Sequence, residues 1–496
     1  MKITTSGSGN DRRAPGILGA PDRSGIQNTA RRNFDLAVLG AGSAGFAAAI
    51  RGTELGARVA LIESGTLGGT CVNVGCVPSK TLIRAAEALH QRSHHGFAGV
   101  AATYGKAEWS LIRSQKDELV KELRSAKYVD VLRSYEGVTL IRGRAVVRSG
   151  PSVAFEDGRA VTARKLIVTT GASPWAAPIP GLENVPYLDS TSALALERLP
   201  ESMIVIGGSA VGLELAQMFA RLGVRVTVLE VMPRILPGEA IGLGEALADH
   251  LRDEGIEVRT AVHVKQVTGP AMYCVQFEAE GELREVCAEQ LLVATGRRAN
   301  TSRLGLEEVG VALGAKGEIR VDQHLRTSNH EIYAAGDVTG DPMFVYVAAL
   351  AGTTAAENAL NGDTRRYDLT ALPKVTFTDP AVASVGLTVE DAEAAGIQAM
   401  VSHLSLEYVP RALAARDTRG FIQLVADAST RRLVGAHILA AEGGEMVTEP
   451  ALAIRFGLTI DDLASSLHPY LTLSEGIKLA AQTFDRDVAK LSCCAA

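Results

Sequence analysis

The sequence predicts an α/β protein: two parallel-sheet domains of one pattern, followed by a smaller α+β domain. Three observations carry this. A strand, glycine turn, helix and second strand occur in that order twice, the second time at about residue 203. The strands of both units are unbroken apolar runs, as strands buried on both faces require. Beyond about residue 371 the texture changes to separated strands followed by Ala- and Leu-rich helices. At 496 residues and about 150 residues per domain, the chain has room for about three domains.

In chain order, residues 1–33 are rich in Gly, Ser, Asn, Asp and Arg without hydrophobic period and are expected to form a flexible arm. Arg31-Arg32-Asn33-Phe34 has the look of a twin-arginine export signal. The apolar segment behind it, Phe34 to Ile50, is instead a strand, turn and helix that a nucleotide site needs, so export is not expected. Asp35–Leu39, a helix to Leu55 and Val59–Glu63 make the first unit; Met203–Ile206, a helix to Leu222 and Val226–Glu230 make the second. In the third domain, Val375–Thr378, Phe421–Val425 and Leu433–Leu439 read as strands, and Glu449–Phe456 and Ser474–Phe484 as helices. A net charge of −6 gives no basic field for nucleic acid or an anionic membrane. No apolar stretch is long enough for membrane insertion, and a cytoplasmic location is expected.

The turn of the first unit is Gly40-Ala-Gly42-Ser43-Ala44-Gly45. Here the first glycine permits the turn, the second lets a pyrophosphate approach the backbone, and the third permits close helix–strand packing. The helix start supplies free N–H groups to phosphates, and Glu63 at the end of the second strand can accept from a ribose hydroxyl. The second unit repeats the pattern as Gly207-Gly-Ser209-Ala-Val-Gly212, with Glu230 where Glu63 stood. Two dinucleotide sites follow.

Between them lies Gly68-Gly69-Thr70-Cys71-Val-Asn-Val-Gly75-Cys76-Val-Pro78-Ser-Lys80. Zinc needs about four ligands, and two thiols without histidine do not supply them. A cysteine pair at a helix start can cycle between dithiol and disulfide, because the helix N-terminus favours thiolate. This segment, the two glycine loops and Ala335-Gly336-Asp337 together resemble the flavin-dependent pyridine nucleotide–disulfide oxidoreductase family over residues 34 to 496. The resemblance implies FAD on residues 34–175 and 301–370, NAD(P)H on 176–300, and a homodimer built through 371–496. It also implies that Cys76 faces the flavin as thiolate, that Cys71 faces substrate, that Lys80 pairs with Glu214, and that Asp337 contacts the flavin's ribityl and phosphate region. Further cofactor contacts are implied for Ser43, Ala44, Gly69, Thr70, Thr170, Gly171, Gly296 and Gly336.

The family's thiol-substrate members carry a segment of the type His-x-His-Pro-Thr-x-Ser-Glu. In His468-Pro-Tyr470-Leu-Thr472-Leu-Ser474-Glu475, Tyr470 takes the place of the catalytic histidine. Reducing an organic disulfide needs a group titrating near neutrality. A phenol, with a reference pKa of about 10, is not one, though it can donate a hydrogen bond to a thiolate or a thiolate-bound metal. His468 compensating by rearrangement is the competing reading. Cys493 and Cys494 supply adjacent soft ligands at the chain's end, suited to Hg(II). With Tyr187 as a second tyrosine, these features resemble the mercuric-ion-reducing branch of the family. The implied reaction takes Hg(II), bound by Cys71, Cys76, Cys493 and Cys494, to Hg(0). The alternatives are a dihydrolipoyl-type disulfide reductase and a non-enzymatic thiol scavenger of soft metals.

Two departures from that branch stand out. Residues 1–33 contain no cysteine, so the Cys-x-x-Cys metal-binding domain that many of its members carry is expected to be absent. Glu230 stands where a basic residue would receive the 2′-phosphate of NADPH, which leans the cosubstrate toward NADH; Arg234 is the competing phosphate partner. Cys274 and Cys287 are expected to stand alone as structural residues, and His90, His94 and His95 to sit on a solvated helix end.

Overall fold

The computed structural model describes residues 32–490, so most of the N-terminal arm and the Cys493–Cys494 tail lie outside the described residues. The first unit is β1 (Arg32–Leu39), α1 (Ser43–Glu54) and β2 (Val59–Glu63). β1 pairs in parallel with β2 on one side and with strand Ala160–Val168 on the other. Leu36, Ala37, Val38 and Val59 to Ile62 are wholly buried, which explains why these strands read as apolar runs. β1 starts earlier than the expected end of the arm, because Arg32 and Asn33 already continue its ladder opposite Val161 and Thr162. The pair α2 (Gly69–Val74) and α3 (Cys76–Gln91) follows.

The second unit is β3 (Ser202–Ile206), α4 (Ala210–Arg221) and β4 (Arg225–Leu229), parallel throughout and flanked by Glu257–Arg259 and Gln290–Val293. The chain enters and leaves it side by side, where Ala172–Pro174 pairs antiparallel with Arg297–Ala299.

Packed beside this sheet is an antiparallel hairpin, β5 (Tyr273–Ala279) and β6 (Glu282–Ala288). Its turn, Glu280-Gly281, has both φ angles positive (54° and 79°), the geometry of a two-residue hairpin turn. That turn sets Cys274 directly opposite Cys287, and the two form a disulfide. They do not stand alone. Antiparallel register, which sequence spacing does not display, brings them together.

α5 (Val345–Asn361) then crosses α1 so closely that any side chain at Gly352 would land on the Ala44 carbonyl. The third domain is a five-stranded sheet in the order Lys374–Thr376, Ala381–Gly386, Leu433–Ala440, Phe421–Asp427, Ala399–Ser405, covered by helices that include Thr448–Phe456 and Glu475–Gln482. No helix among the described residues is long and apolar enough to cross a membrane.

Candidate active site

The first glycine loop is shaped by backbone contacts that no side chain could share. Gly40 has φ of +112°, and a Cβ there would strike the Thr169 carbonyl; one at Gly45 would strike the carbonyl of Gly40. A Cβ at Gly69 would come within 2.6 Å of the Gly42 Cα, so the loop before α2 lies against the turn. Thr170 backs Gly40 and donates its hydroxyl to the Asn300 carbonyl at 2.8 Å, with Gly171 accepting from the Asn300 N–H. Glu63 accepts from the N–H of Ala41 at 2.7 Å and of Gly65 at 2.6 Å, which holds its carboxylate at the mouth of the loop. Gly336, at φ +79°, packs on Ala44 and introduces Asp337, whose carboxyl burial pushes up in pKa against the opposing charge of Arg297. Free N–H groups at the start of α1, a glycine face bare of side chains and a carboxylate at the ribose position form a cradle that fits FAD.

The second loop repeats this geometry. Gly207 has φ of +115°, its Cβ direction is closed by the Ala294 carbonyl, and that of Gly212 by the Gly207 carbonyl. Glu230 is buried and accepts from Gly208 at 2.5 Å and Met232 at 2.7 Å. Ser209 is exposed at the middle position and leaves the loop open. Arg234 is turned away: it donates to the carbonyls of Pro237 (2.8 Å) and Glu239 (3.0 Å). Gly296, at φ +138°, holds the outgoing strand, where its carbonyl accepts from Trp175.

Cys71 lies on α2 and Cys76 is the first residue of α3, with Gly75 as the break between the helices. The break lets the two sulfurs meet as free thiols joined by a hydrogen bond. Donation from Cys71, aided by the Lys80 charge, outweighs burial and brings the Cys76 thiol down to about 7. Cys71, which gives that hydrogen bond and is itself half-buried, is pushed far up. So the pair is polarised, with thiolate on Cys76 and proton on Cys71. Lys80 is held at 2.6 Å by Glu214 of α4, a buried carboxylate whose other oxygen accepts from the Phe377 N–H at 2.9 Å.

Two residues of this centre escape the sequence reading. Lys80 Nζ stands 4.7 Å from the centre of the Phe377 ring, a cation–π contact across more than half the chain; nothing local in Val375–Thr378 marks it. Tyr128 sits in a π-helical turn (Ser125–Val129), hydrogen-bonds Ser43 and lies near enough to Cys71 and Cys76 to feel their charge. Such turns recur at functional sites, but their signal is geometric.

Tyr187 and Tyr470 are not enclosed in the protomer: they are 38% and 56% exposed. His468 is committed elsewhere, with Nε2 at 2.8 Å from Glu449 and Nδ1 at 3.2 Å from the Ser466 carbonyl. The histidine segment is less solvated than expected. His90 stacks on His94 at 4.0 Å and burial lowers its pKa to about 4, while both ring nitrogens of His95 are buried. Packing of α3 against the second unit and the third domain covers what the sequence left open.

A flavin cradle, a nucleotide loop and a polarised thiol pair define a two-nucleotide dithiol oxidoreductase. The chain belongs to the pyridine nucleotide-disulphide oxidoreductase family, whose model matches residues 34–352, with the family's dimerisation domain at 372–481. It is 49% identical over 473 residues to a mercuric reductase of Streptomyces lividans, covering 94% of this chain and 99% of that one. It is 48% identical to the mercuric reductase of Acidithiobacillus ferrooxidans, with 94% and 85% covered. Among solved structures, the Cu(II) complex of the HOCl-induced flavoprotein disulfide reductase RclA of Escherichia coli superposes with a TM-score of 0.81 at 30% identity, covering 91% of this chain and 99% of that one.

Proposed function

We propose that this chain reduces Hg(II) to Hg(0) at the expense of NAD(P)H, as a homodimer. The observation that carries the reading is the proton inventory around the thiols. Tyr470 occupies the position of the family's proton-transferring histidine, and His468 is tied to Glu449, so the equipment for organic disulfide exchange is missing. What remains suits a soft metal: a thiolate at Cys76 and a thiol at Cys71 that loses its proton as sulfur binds metal.

In this reading Cys493 and Cys494 take Hg(II) from solution thiols and pass it to Cys71 and Cys76, while Tyr187 and Tyr470 hydrogen-bond the metal-bearing thiolates. FAD, when bound, relays an electron pair from the nicotinamide toward the cysteine side. Lys80 and Glu214 hold the charge beside Cys76. Per turnover NAD(P)H becomes NAD(P)⁺ and a proton; the bis-thiolate Hg(II) complex takes two electrons, both S–Hg bonds break, and Hg(0) leaves. The flavin belongs to residues 34–175 and 301–370, the nicotinamide cosubstrate to 176–300, and the dimer contact to 371–496. Leu452, Phe456 and Leu467 are exposed on the last of these, as an apolar subunit contact requires. NADH is the preferred cosubstrate, because a buried carboxylate, Glu230, stands where a 2′-phosphate would need a basic partner, and Arg234 is turned away. The cytoplasm, where reduced pyridine nucleotides are held, is the compartment this reaction needs.

The test is cosubstrate oxidation with Hg(II), lipoamide and glutathione disulfide side by side. Hg(II)-dependent oxidation with inert disulfides is expected. Turnover of lipoamide, or Hg(II) binding without oxidation, would overturn the reading.

A further inference from the structure

The hairpin β5–β6 holds a second pair of sulfurs. Along β5, Tyr273, Val275 and Phe277 point into the core, so Cys274 and Gln276 lie on the outer face. Opposite them on β6, Cys287 and Glu285 are exposed. The bridge therefore buries nothing. Nor does it set the register, since seven successive residue pairs, from Tyr273 opposite Ala288 to Ala279 opposite Glu282, and the Glu280-Gly281 turn already do so. Glu285 is held beside the sulfurs: its Oε1 lies 3.9 Å from Cys287 Sγ, and the Gln276 amide donates to its Oε2 at 3.0 Å. The ligand atoms of Cys274, Cys287 and Glu285 all fall within 4.8 Å of one another.

We propose that the Cys274–Cys287 pair, once reduced, is an accessory two-sulfur site for a soft divalent metal, Hg(II) above all, on the outer face of the second unit and separate from Cys71 and Cys76. Because the ladder holds the strands, breaking the bridge leaves two thiols facing each other across neighbouring positions of one sheet face. A low-molecular-weight thiol supplies the reduction: the S–S bond takes two electrons and two protons, and the reductant leaves as its own disulfide. Hg(II) then forms two S–Hg bonds and displaces two protons, with no change of oxidation state. Thiolates select soft cations, and the Glu285 carboxylate adds attraction for a positive ion. The disulfide closes the site, so its occupancy follows the thiol status of the surroundings. The inference stands independently of the reaction proposed above.

The experiment uses the full chain with Cys71, Cys76, Cys493 and Cys494 all changed to alanine, its fold checked by FAD content and circular dichroism. After reduction with a phosphine and removal of the reductant, HgCl2 is added, and retained mercury is counted after gel filtration. About one Hg(II) per chain is expected, with near-ultraviolet sulfur-to-mercury absorption. Without reduction, or with Cys274→Ser and Cys287→Ser added, retention should fall at least tenfold. In the otherwise native holoenzyme, reduced in the same way, the same two serine substitutions should lower bound mercury by about one per chain and leave Hg(II)-dependent NAD(P)H oxidation unchanged. This second measurement decides the matter if the four-alanine chain does not fold. Equal retention with and without the two cysteines, or none by a reduced chain whose two thiols titrate, would overturn the site.

Discussion

The two glycine loops are nearly the same object built twice. Gly40 and Gly207 share a left-handed φ, Gly45 and Gly212 close on the preceding carbonyl, and Glu63 and Glu230 each accept two backbone N–H groups. They differ in what covers them. The first is backed by Gly69, pressed on Gly42, and by half-buried Asp337; the second has exposed Ser209 at its mouth. One fold thus makes a lidded cradle suited to a resident cofactor and an open one suited to a cosubstrate that must come and go. The difference lies in the neighbouring segments: the first loop is followed by the free thiols of Cys71 and Cys76, the second by the Cys274–Cys287 disulfide.

The largest test separates the thiols from the cradle. Cys71→Ala should abolish Hg(II) reduction while FAD content stays near one per chain; retained mercury volatilisation would refute the assignment of Cys71. Next, Gly45→Ala drives a methyl into the Gly40 carbonyl and should yield protein that has lost most of its flavin absorbance. Gly212→Ala, its counterpart, should keep FAD and instead raise KM for NAD(P)H. If both variants lose FAD alike, the distinction between closed and open loops fails. Tyr470→Phe removes one hydroxyl; losing a hydrogen bond to a charged partner costs about 1.5–3 kcal/mol, so kcat with Hg(II) should drop by about one to two decades with both cofactors still bound. An unchanged kcat would make that hydroxyl a bystander.

Lys80→Met should act through Cys76. A thiol is charged when deprotonated, so a nearby cation lowers its pKa and removing the cation raises it. Thiolate at Cys76 grows as pH rises through about 7 in the native protein. In the variant the alkylation profile should move to higher pH, with about tenfold slower labelling at about pH 5.5, well below the native midpoint, if that midpoint rises by about 1; an unmoved profile would show Lys80 to be silent. The smallest effect sharpens the comparison of the two carboxylates: Glu230→Arg should shift kcat/KM toward NADPH by about tenfold, or about 1.4 kcal/mol. A native enzyme already preferring NADPH would contradict the role given to Glu230.

Both loops could be read from sequence because their glycines answer local demands: a positive φ or a close carbonyl leaves its mark at the position concerned. The Cys71–Cys76 pair was equally legible, from two cysteines at a helix start and the family segment they resemble, whereas the break at Gly75 that lets them meet shows only in the fold. Phe377 over Lys80 was not, because a contact between residues so far apart in sequence depends on how the domains dock. Cys274 and Cys287 were misread for a related reason, their pairing being fixed by a turn whose ordinary Glu-Gly composition announces little. The expected helix ends were close, with Ser474 serving as the cap of Glu475–Gln482 rather than a helical residue.

The attachment of α4 to the third domain has a consequence for how the molecule comes apart. Beyond Glu214 and the Phe377 N–H, Gln217 exchanges two hydrogen bonds of 2.8 Å with the Asp379 backbone, and Arg221, almost fully buried, pairs with both Glu254 (2.5 Å) and Asp379 (2.9 Å). Losing the third domain strips Asp379 from this buried cluster and leaves Arg221 paired with Glu254 alone. A truncation that removes the third domain would therefore take away more than a subunit contact. It would expose the Arg221 guanidinium's vacated partner site and cut loose the peptide that steadies Glu214, so the remaining three-quarters of the chain would not behave as an autonomous module in a swap or fusion.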